Sequence, residues 1–290
     1  EMIERLEKYF DGKIIKQIRA GTFHSVSNLL LKSLGKGVIL KQPSELKTLL
    51  KSITDRRQFH RISDTKGYSG AYLYDIYSLF CNSCVNNESF EDWFALNYPD
   101  QAEFAAIYDD ILREFEETKV QFNYADFNDL LIKMRNELKN GSAICFDEIL
   151  VDEYQDTNSL QGSLIDAFNT KSLFCVGDFD QSIYAFNGAN IEIIGSFKER
   201  YIGANIYSLN INYRSSAKIL ALANKVIANN PRLYPKSLEV SRDGEFKSPV
   251  LLVYDELFVQ YSAVAEIIAK SRYHKSDIAI IFRNNSSADG

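Results

Sequence analysis

Apolar residues along this chain change their spacing repeatedly, and each change marks a different kind of element. From His24 to Leu34 they recur at helical spacing, and Gly35 and Gly37 close the run. Ala20 to Phe23, just before, reads as a short strand. From Ser44 to about Lys139 strand signals vanish, and the pattern predicts helices over Glu45–Ile62, Tyr72–Val85, Gln101–Lys119 and Phe127–Lys139. Within that stretch Tyr68, Tyr72, Tyr74, Tyr77 and Phe80 read as the helical core, not as a base-stacking platform. Short β-branched runs then return. Strands are expected at Ile144–Val151, Ser172–Val176, Ile206–Leu209, Val250–Tyr254 and Asp277–Phe282. Helices are expected between and after them at Leu160–Phe168, Ala217–Ala228 and Phe258–Lys270. Pro231, Pro235 and Ser241-Arg242-Asp243-Gly244 form the longest loop, and a boundary between units falls near Gly203. Strands alternating with helices predict an α/β fold wound around parallel sheets.

Composition changes this picture little. The 290 residues are 46% hydrophobic and 25% charged, enough for a sizeable core without disulfides or metals. No apolar run reaches membrane-span length, and the start reads as a charged amphipathic helix, not a signal peptide. The net charge of −6 does not by itself favour a nucleic-acid partner. Basic residues nonetheless cluster at Lys13, Lys16 and Arg19 and at Arg56, Arg57, His60 and Arg61; such clusters are most often solvated faces. Cys81 and Cys84 lack a second ligand pair and read as small core residues, and Cys145 and Cys175 are expected to be buried in strands. Reduced thiols fit the cytoplasm.

Chemistry concentrates after residue 148. Ile149-Leu150-Val151 delivers Asp152 and Glu153 to the C-terminal end of a strand, where open α/β sheets bind ligands. One such carboxylate can hold Mg²⁺ and the next can orient the attacking water, provided the strand ends and turns there. Thr157 and Asn158 can supply the turn and cap the next helix. The second strand runs into Gly177-Asp178-Phe179-Asp180-Gln181-Ser182-Ile183-Tyr184-Ala185-Phe186-Asn187-Gly188-Ala189. Here Gly177 gives backbone clearance, Gln181 can contact a γ-phosphate, and Tyr184 and Phe186 offer flat faces to unstacked bases. A third segment, Asn212-Tyr213-Arg214-Ser215, pairs an aromatic ring with an Arg able to act as an arginine finger.

These three segments, in this order, resemble motifs II, III and IV of the UvrD/Rep family of superfamily 1 helicases. Gly21-Thr22-Phe23-His24-Ser25 resembles the family's element on the DNA path, and Asp126-Phe127-Asn128-Asp129-Leu130-Leu131 its D-F-x-D-L-L helix start. The resemblance implies an ATP-dependent DNA helicase that uses ATP and Mg²⁺. Asp152 would bind the metal, Glu153 would be the catalytic base, Gln181 the γ-phosphate sensor, Tyr213 the adenine stack and Arg214 the finger. Thr22, Phe23, His24, Tyr184 and Phe186 would lie along single-stranded DNA, and single/double-strand junctions would be substrates. Asn187 stands where the family commonly has Arg, so that Arg's role does not carry over.

The implied architecture is a RecA-like P-loop NTPase motor with an inserted all-helical subdomain. Residues 1–43 and 140–203 would belong to the first motor domain, 44–139 to the insertion, and 204–290 to the second motor domain. No G-x-x-x-x-G-K-[ST] loop occurs in the 290 residues, nor do motifs V and VI. The loop is therefore expected upstream of residue 1, and the fragment alone is expected to be inactive. Two alternatives stay open: the motor part of a RecB/AddA-like helicase–nuclease, and a DNA-binding scaffold with a decayed motor. Translocation from 3′ to 5′ is implied only by the resemblance, and protein partners stay unknown.

Overall fold

The computed structural model describes residues 2–58, 69–83, 88–230, 238–241, 244 and 247–282. His60, Arg61, Tyr68, Cys84, Arg242, Asp243 and the 231–237 stretch lie outside them. The chain divides into two compact units, Glu1–Ile206 and Tyr207–Gly290.

The first unit opens with α1 (Met2–Leu6), α2 (Gly12–Gln17) and α3 (Phe23–Ser33), then β1 (Ile39–Leu40) and α4 (Pro43–Arg56). α5 (Gly70–Ser83), α6 (Phe90–Asn97) and α7 (Ala105–Gln121) follow, with a 3₁₀ turn at Pro99–Phe104. Next come β2 (Tyr124–Ala125), α8 (Phe127–Lys139), β3 (Cys145–Val151), α9 (Ser159–Ala167) and β4 (Asn169–Cys175). The short helices α10 (Ile191–Gly195) and α11 (Phe197–Arg200) complete it. β1 pairs with β2, and β3 with β4, both in parallel.

Ala20–Phe23 is not a strand. The Thr22 hydroxyl accepts the Ser25 amide at 3.2 Å, so the chain is captured into α3 from Phe23 onward. α6 is a helix that the apolar pattern did not announce; Ser89 caps it by accepting the Asp92 amide at 3.1 Å.

Two cores position the rest. One is aromatic and helical, built from Leu46, Leu50 and Ile53 of α4, Leu73, Tyr74 and Ile76 of α5, and Phe94, Tyr108 and Phe115 beyond. Tyr72, Tyr77 and Phe80 pack against it, so the described aromatics of this stretch are core, as expected. Arg56 and Arg57 are engaged by Glu114 and Asp110, which gives that basic cluster the character of a solvated, paired face.

The second core lies under the strands. α8 presents Leu130, Leu131, Met134 and Leu138 to Leu30 and Leu31 of α3 and to Leu160 and Leu164 of α9. Asp126 and Asp129 start α8 with reciprocal bonds: each backbone amide donates to the other's carboxylate at 2.8 Å. At its other end Gly141 N–H donates to Leu138 and Ser142 N–H to Glu137, satisfying the last carbonyls.

A buried cation joins the two cores. Lys119, only 2% exposed, lies 2.6 Å from Glu116, 3.3 Å from Asp126 and 2.8 Å from Asp129. Burial alone would lower its pKa, but the three carboxylates outweigh that and raise it. Burial also pushes Glu116 and Asp129 above the usual carboxylate range.

β3 and β4 have one sheltered and one open face. Ile149, Val151, Leu173 and Cys175 turn inward, whereas the register partners Leu150 and Phe174 are exposed. Cys145 is therefore exposed and Cys175 half-buried, not buried as their apolar runs suggested.

The second unit contains β5 (Ile211–Asn212), α12 (Ala217–Ile227), β6 (Glu239–Val240) and α13 (Leu257–Ala269), with β5 parallel to β6. Its two helices lie within a residue of the expected bounds. Ile206–Leu209, Val250–Tyr254 and Asp277–Phe282 are not strands here: among the described residues no strand ladder includes them, and an extended run without a partner strand leaves its peptide groups to water.

Candidate functional site

The site is built where β3 and β4 end side by side. The ladder extends past both strands: Val176 N–H donates to Val151, and Tyr154 N–H donates to Val176, each at 2.8 Å. The acid pair and the glycine loop thus leave neighbouring parallel strands at the same edge.

The turn needed after the strand occurs at Glu153. Its φ of 51° and ψ of 43° are left-handed, a conformation costing a non-glycine residue roughly 1–2 kcal/mol. Local bonds offset this. Glu153 N–H donates to Asp152 Oδ1 at 3.0 Å, and Asp156 N–H donates to the Glu153 carbonyl at 2.9 Å. The turn leaves Asp152 and Glu153 both exposed. Asn158 caps α9, accepting the Gln161 amide at 2.8 Å, while Thr157 is buried. Asp156 is raised above the usual carboxylate range, first by burial and then by the Glu153 charge.

The second loop is stitched to the first. Ser182 Oγ donates to the Gln155 carbonyl at 3.3 Å, Asn190 N–H donates to Thr157 at 3.1 Å, and Asn158 bridges to Ala189. Gly177 is where clearance matters: a Cβ there would stand 2.8 Å from Gln155 Oε1 and 3.1 Å from Gln155 N. Asp178 accepts the Asp180 amide at 3.1 Å and the Gln181 side-chain amide at 2.7 Å. Gln181 is exposed at this edge. Tyr184 and Phe186 are 45% and 75% exposed, with ring centres 5.8 Å apart.

Helix α5 touches both loops. Asn158 Nδ2 donates to Asn82 Oδ1 at 3.0 Å. Gly188, at φ +86°, turns so close to α5 that a Cβ would meet Asn82 Cβ at 3.0 Å.

The remaining expected site residues are distributed as follows. Thr22 is exposed and caps α3. Phe23 is half-buried between two core clusters. His24 packs edge-on to Phe127 at 5.4 Å, and its burial lowers the imidazole pKa and favours the neutral ring. In the second unit Tyr213 is 70% exposed. Asn212 Oδ1 accepts the amides of Arg214 and Ser215 at 3.1 and 2.8 Å, so a side chain from β5 forms the turn that presents Tyr213 and Arg214. A groove of about 460 Å³ between α4 and α7, lined by Leu49, Arg56, Glu114 and Phe122 among others, contains none of the motif residues.

Family comparison agrees with this arrangement of motifs. The model of the UvrD/REP helicase N-terminal domain matches residues 1–202, and that of the UvrD-like helicase C-terminal domain matches residues 207–290. The chain belongs to the UvrD/Rep helicase family. Similar proteins include a DNA helicase II of Rickettsia typhi, 33% identical over 92% of this chain and 42% of its own length. A probable DNA helicase II homolog of Mycoplasma capricolum is 37% identical over 63% of this chain and 26% of its own. The ATP-dependent DNA helicase PcrA of Staphylococcus aureus is 29% identical over 99% and 40%. The chain thus spans less than half the length of these UvrD/Rep relatives.

Sequence reasoning missed Gln155. It is 2% exposed, and its amide links the two loops of the site. Its polarity inside an otherwise apolar and acidic segment was the available signal. The neighbours that give it meaning are 23 positions away, at Asp178.

Proposed function

We propose that the natural protein containing this chain is an ATP-driven helicase or translocase moving on single-stranded DNA and opening single/double-strand junctions. The observation that carries the reading is the shared strand edge. Two exposed carboxylates and an exposed glutamine meet there, with two exposed aromatic rings on the glutamine's own loop. Related proteins named DNA helicase II and ATP-dependent DNA helicase PcrA support the same reading.

Asp152 fits Mg²⁺. No cluster of three or more His, Cys, Asp or Glu side chains among the described residues could hold a metal alone. One carboxylate completed by water and phosphate oxygens is, however, the donor set Mg²⁺ prefers. Bound there, the ion would neutralise phosphate charge. Glu153 acts as the base toward the attacking water, and Gln181 senses the γ-phosphate. The motif around Tyr213 and Arg214 assigns them adenine stacking and charge neutralisation on the transferring phosphate.

Tyr184 and Phe186 stack on bases, and Thr22 and His24 border the strand's path. Phe23 supports that path from the core. The fold reading goes with this: RecA-like motor domains at 1–43 with 140–203 and at 204–290, and a helical insertion at 44–139. Action in repair or replication, 3′ to 5′ travel and a cytoplasmic place complete the proposal. No helix among the described residues is long and apolar enough to cross a membrane.

The test is DNA-stimulated ATP turnover by the natural protein. Glu153→Gln should lower kcat by about 10²–10⁴-fold while ATP binding persists. Phe186→Ala should weaken single-stranded DNA binding by about 1–3 kcal/mol. Undiminished turnover in Glu153→Gln would remove the assignment.

A further inference from the structure

We propose that Gln155 is a positioning residue that holds the Glu153 carboxylate to the loop carrying Gln181, making the base's orientation depend on that loop. The inference rests on the nucleotide reading of the site above. The Gln155 amide makes two bonds of opposite sense: Nε2 donates to Glu153 Oε2 at 2.8 Å, and Oε1 accepts the Asp178 amide at 2.9 Å. Neither partner can exchange roles. An ionised carboxylate only accepts, and a backbone N–H only donates, so the amide has one workable orientation. A side chain with one donor and one acceptor on the same planar group is what the gap requires.

The support is rigid at each end. Gln155 lies in the 3₁₀ turn Tyr154–Asp156, its carbonyl accepts Ser182 Oγ, and the missing side chain of Gly177 leaves clearance for its amide oxygen. Asp178 passes the constraint onward through its side chain to the Asp180 amide and the Gln181 Nε2. Two residues, Gln155 and Asp178, thus connect the base Glu153 to the phosphate sensor Gln181. Tyr184 and Phe186 follow three and five residues later on the same loop. Movement of that loop when bases stack on it would be passed to the carboxylate, whose second oxygen stays available for the attacking water. A base held this way needs no reorientation at the moment of reaction.

Gln155→Glu isolates the contact. The substituted side chain keeps an acceptor for the Asp178 amide but places a second carboxylate against Glu153. An ionised carboxylate there has no donor for Glu153 Oε2 and repels it, so the tether is broken while the contact to Asp178 survives. In the natural protein with single-stranded DNA, kcat at pH 7 should fall roughly tenfold or more, with KM for ATP within about threefold.

A KM for ATP that rises in step with the fall in kcat indicates a structural role only and overturns the proposal, as does wild-type behaviour. If Gln155→Glu does not fold, Gly177→Ala displaces the same amide from outside: severalfold lower kcat supports the tether, and full turnover overturns it. Wild-type protein without DNA-stimulated turnover sinks the nucleotide reading, and the tether with it. Wild-type turnover with an unaltered kcat in Gln155→Glu sinks the tether alone.

Discussion

The two units receive similar apolar runs and use them differently. Ile149-Leu150-Val151 in the first and Val250-Leu251-Leu252-Val253 in the second are equally strand-like as text. Val151 is 7% exposed, but Leu251 and Val253 are 87% and 81% exposed. Among the described residues of the second unit, Leu220 is the one buried hydrophobic side chain. What differs is the company. β3 is bonded to β4 along its length, and the cores that include Val151 and Phe146 draw on α3, α8 and α9. Among the described residues no strand pairs with Val250–Val253. Apolar patterning permits a strand, but pairing and a covered face make one.

The strongest test of that contrast strikes the first unit where charge, not apolar contact, joins its cores. Lys119→Met leaves buried Asp126 and half-buried Asp129 and Glu116 without that counter-charge, and removing one partner from a buried ion cluster costs about 3–5 kcal/mol. Trp93, the sole tryptophan, is packed in the helical core and reports this unit's unfolding by fluorescence in urea. The sign with pH follows from Glu116 and Asp129, both raised by burial. A carboxyl whose folded pKa is raised binds more protons folded than unfolded, so its effect on stability worsens as pH rises. The deficit of Lys119→Met should therefore shrink toward pH 4–5, near the ordinary carboxylate range of about 4. A midpoint unchanged from wild type, or a deficit that grows on acidification, contradicts the picture of a charge lock.

Lys119 also shows where the text of the sequence stops. In Phe115-Glu116-Glu117-Thr118-Lys119 it reads as an ordinary solvated helix end. Its burial comes from α8 arriving with Asp126 and Asp129, and only the fold makes that meeting. By contrast α8 itself was legible to the residue, because Asp126 and Asp129 cap it and Leu130, Leu131, Met134 and Leu138 fall on one face. β3 and β4 were legible in place but not in exposure, since Leu150 and Phe174 alternate onto an uncovered face. At the site the acid pair, the glycine clearance and the Asn158 cap could be read from local chemistry. The left-handed Glu153 could be anticipated only as a need for a turn. The Gln155 bridge required two loops brought together.

A smaller effect is expected where the first unit's strand edge meets its helices. Asn158 accepts the Gln161 amide, donates to Asn82 and begins α9. Asn158→Ala removes the cap and should cost about 0.5–2 kcal/mol on the same Trp93 transition. Asn158→Asp keeps the acceptor for Gln161 and loses only the bond to Asn82, so it should recover most of that loss. Equal losses from both would mean that the contact with α5, not the cap, is what matters there.

The smallest effect belongs to the second unit and decides whether the comparison holds in solution. Leu251 has no buried contact to lose, and surface substitutions away from special features fall within about ±0.5 kcal/mol. Leu251→Ser should therefore change neither the helical signal of the chain nor its unfolding midpoint, whereas Leu131→Ala, fully buried in the first unit, should cost about 2–5 kcal/mol. Amide hydrogen exchange supplies the reading that Trp93 cannot. The amides of Val250–Val253 should exchange at nearly open-chain rates in wild type and variant alike, while those of Ile149–Val151 stay protected by β4. Slow exchange at Leu251 in wild type, abolished by Leu251→Ser, would show that this run does find a partner strand, and the two units would then use their apolar runs alike.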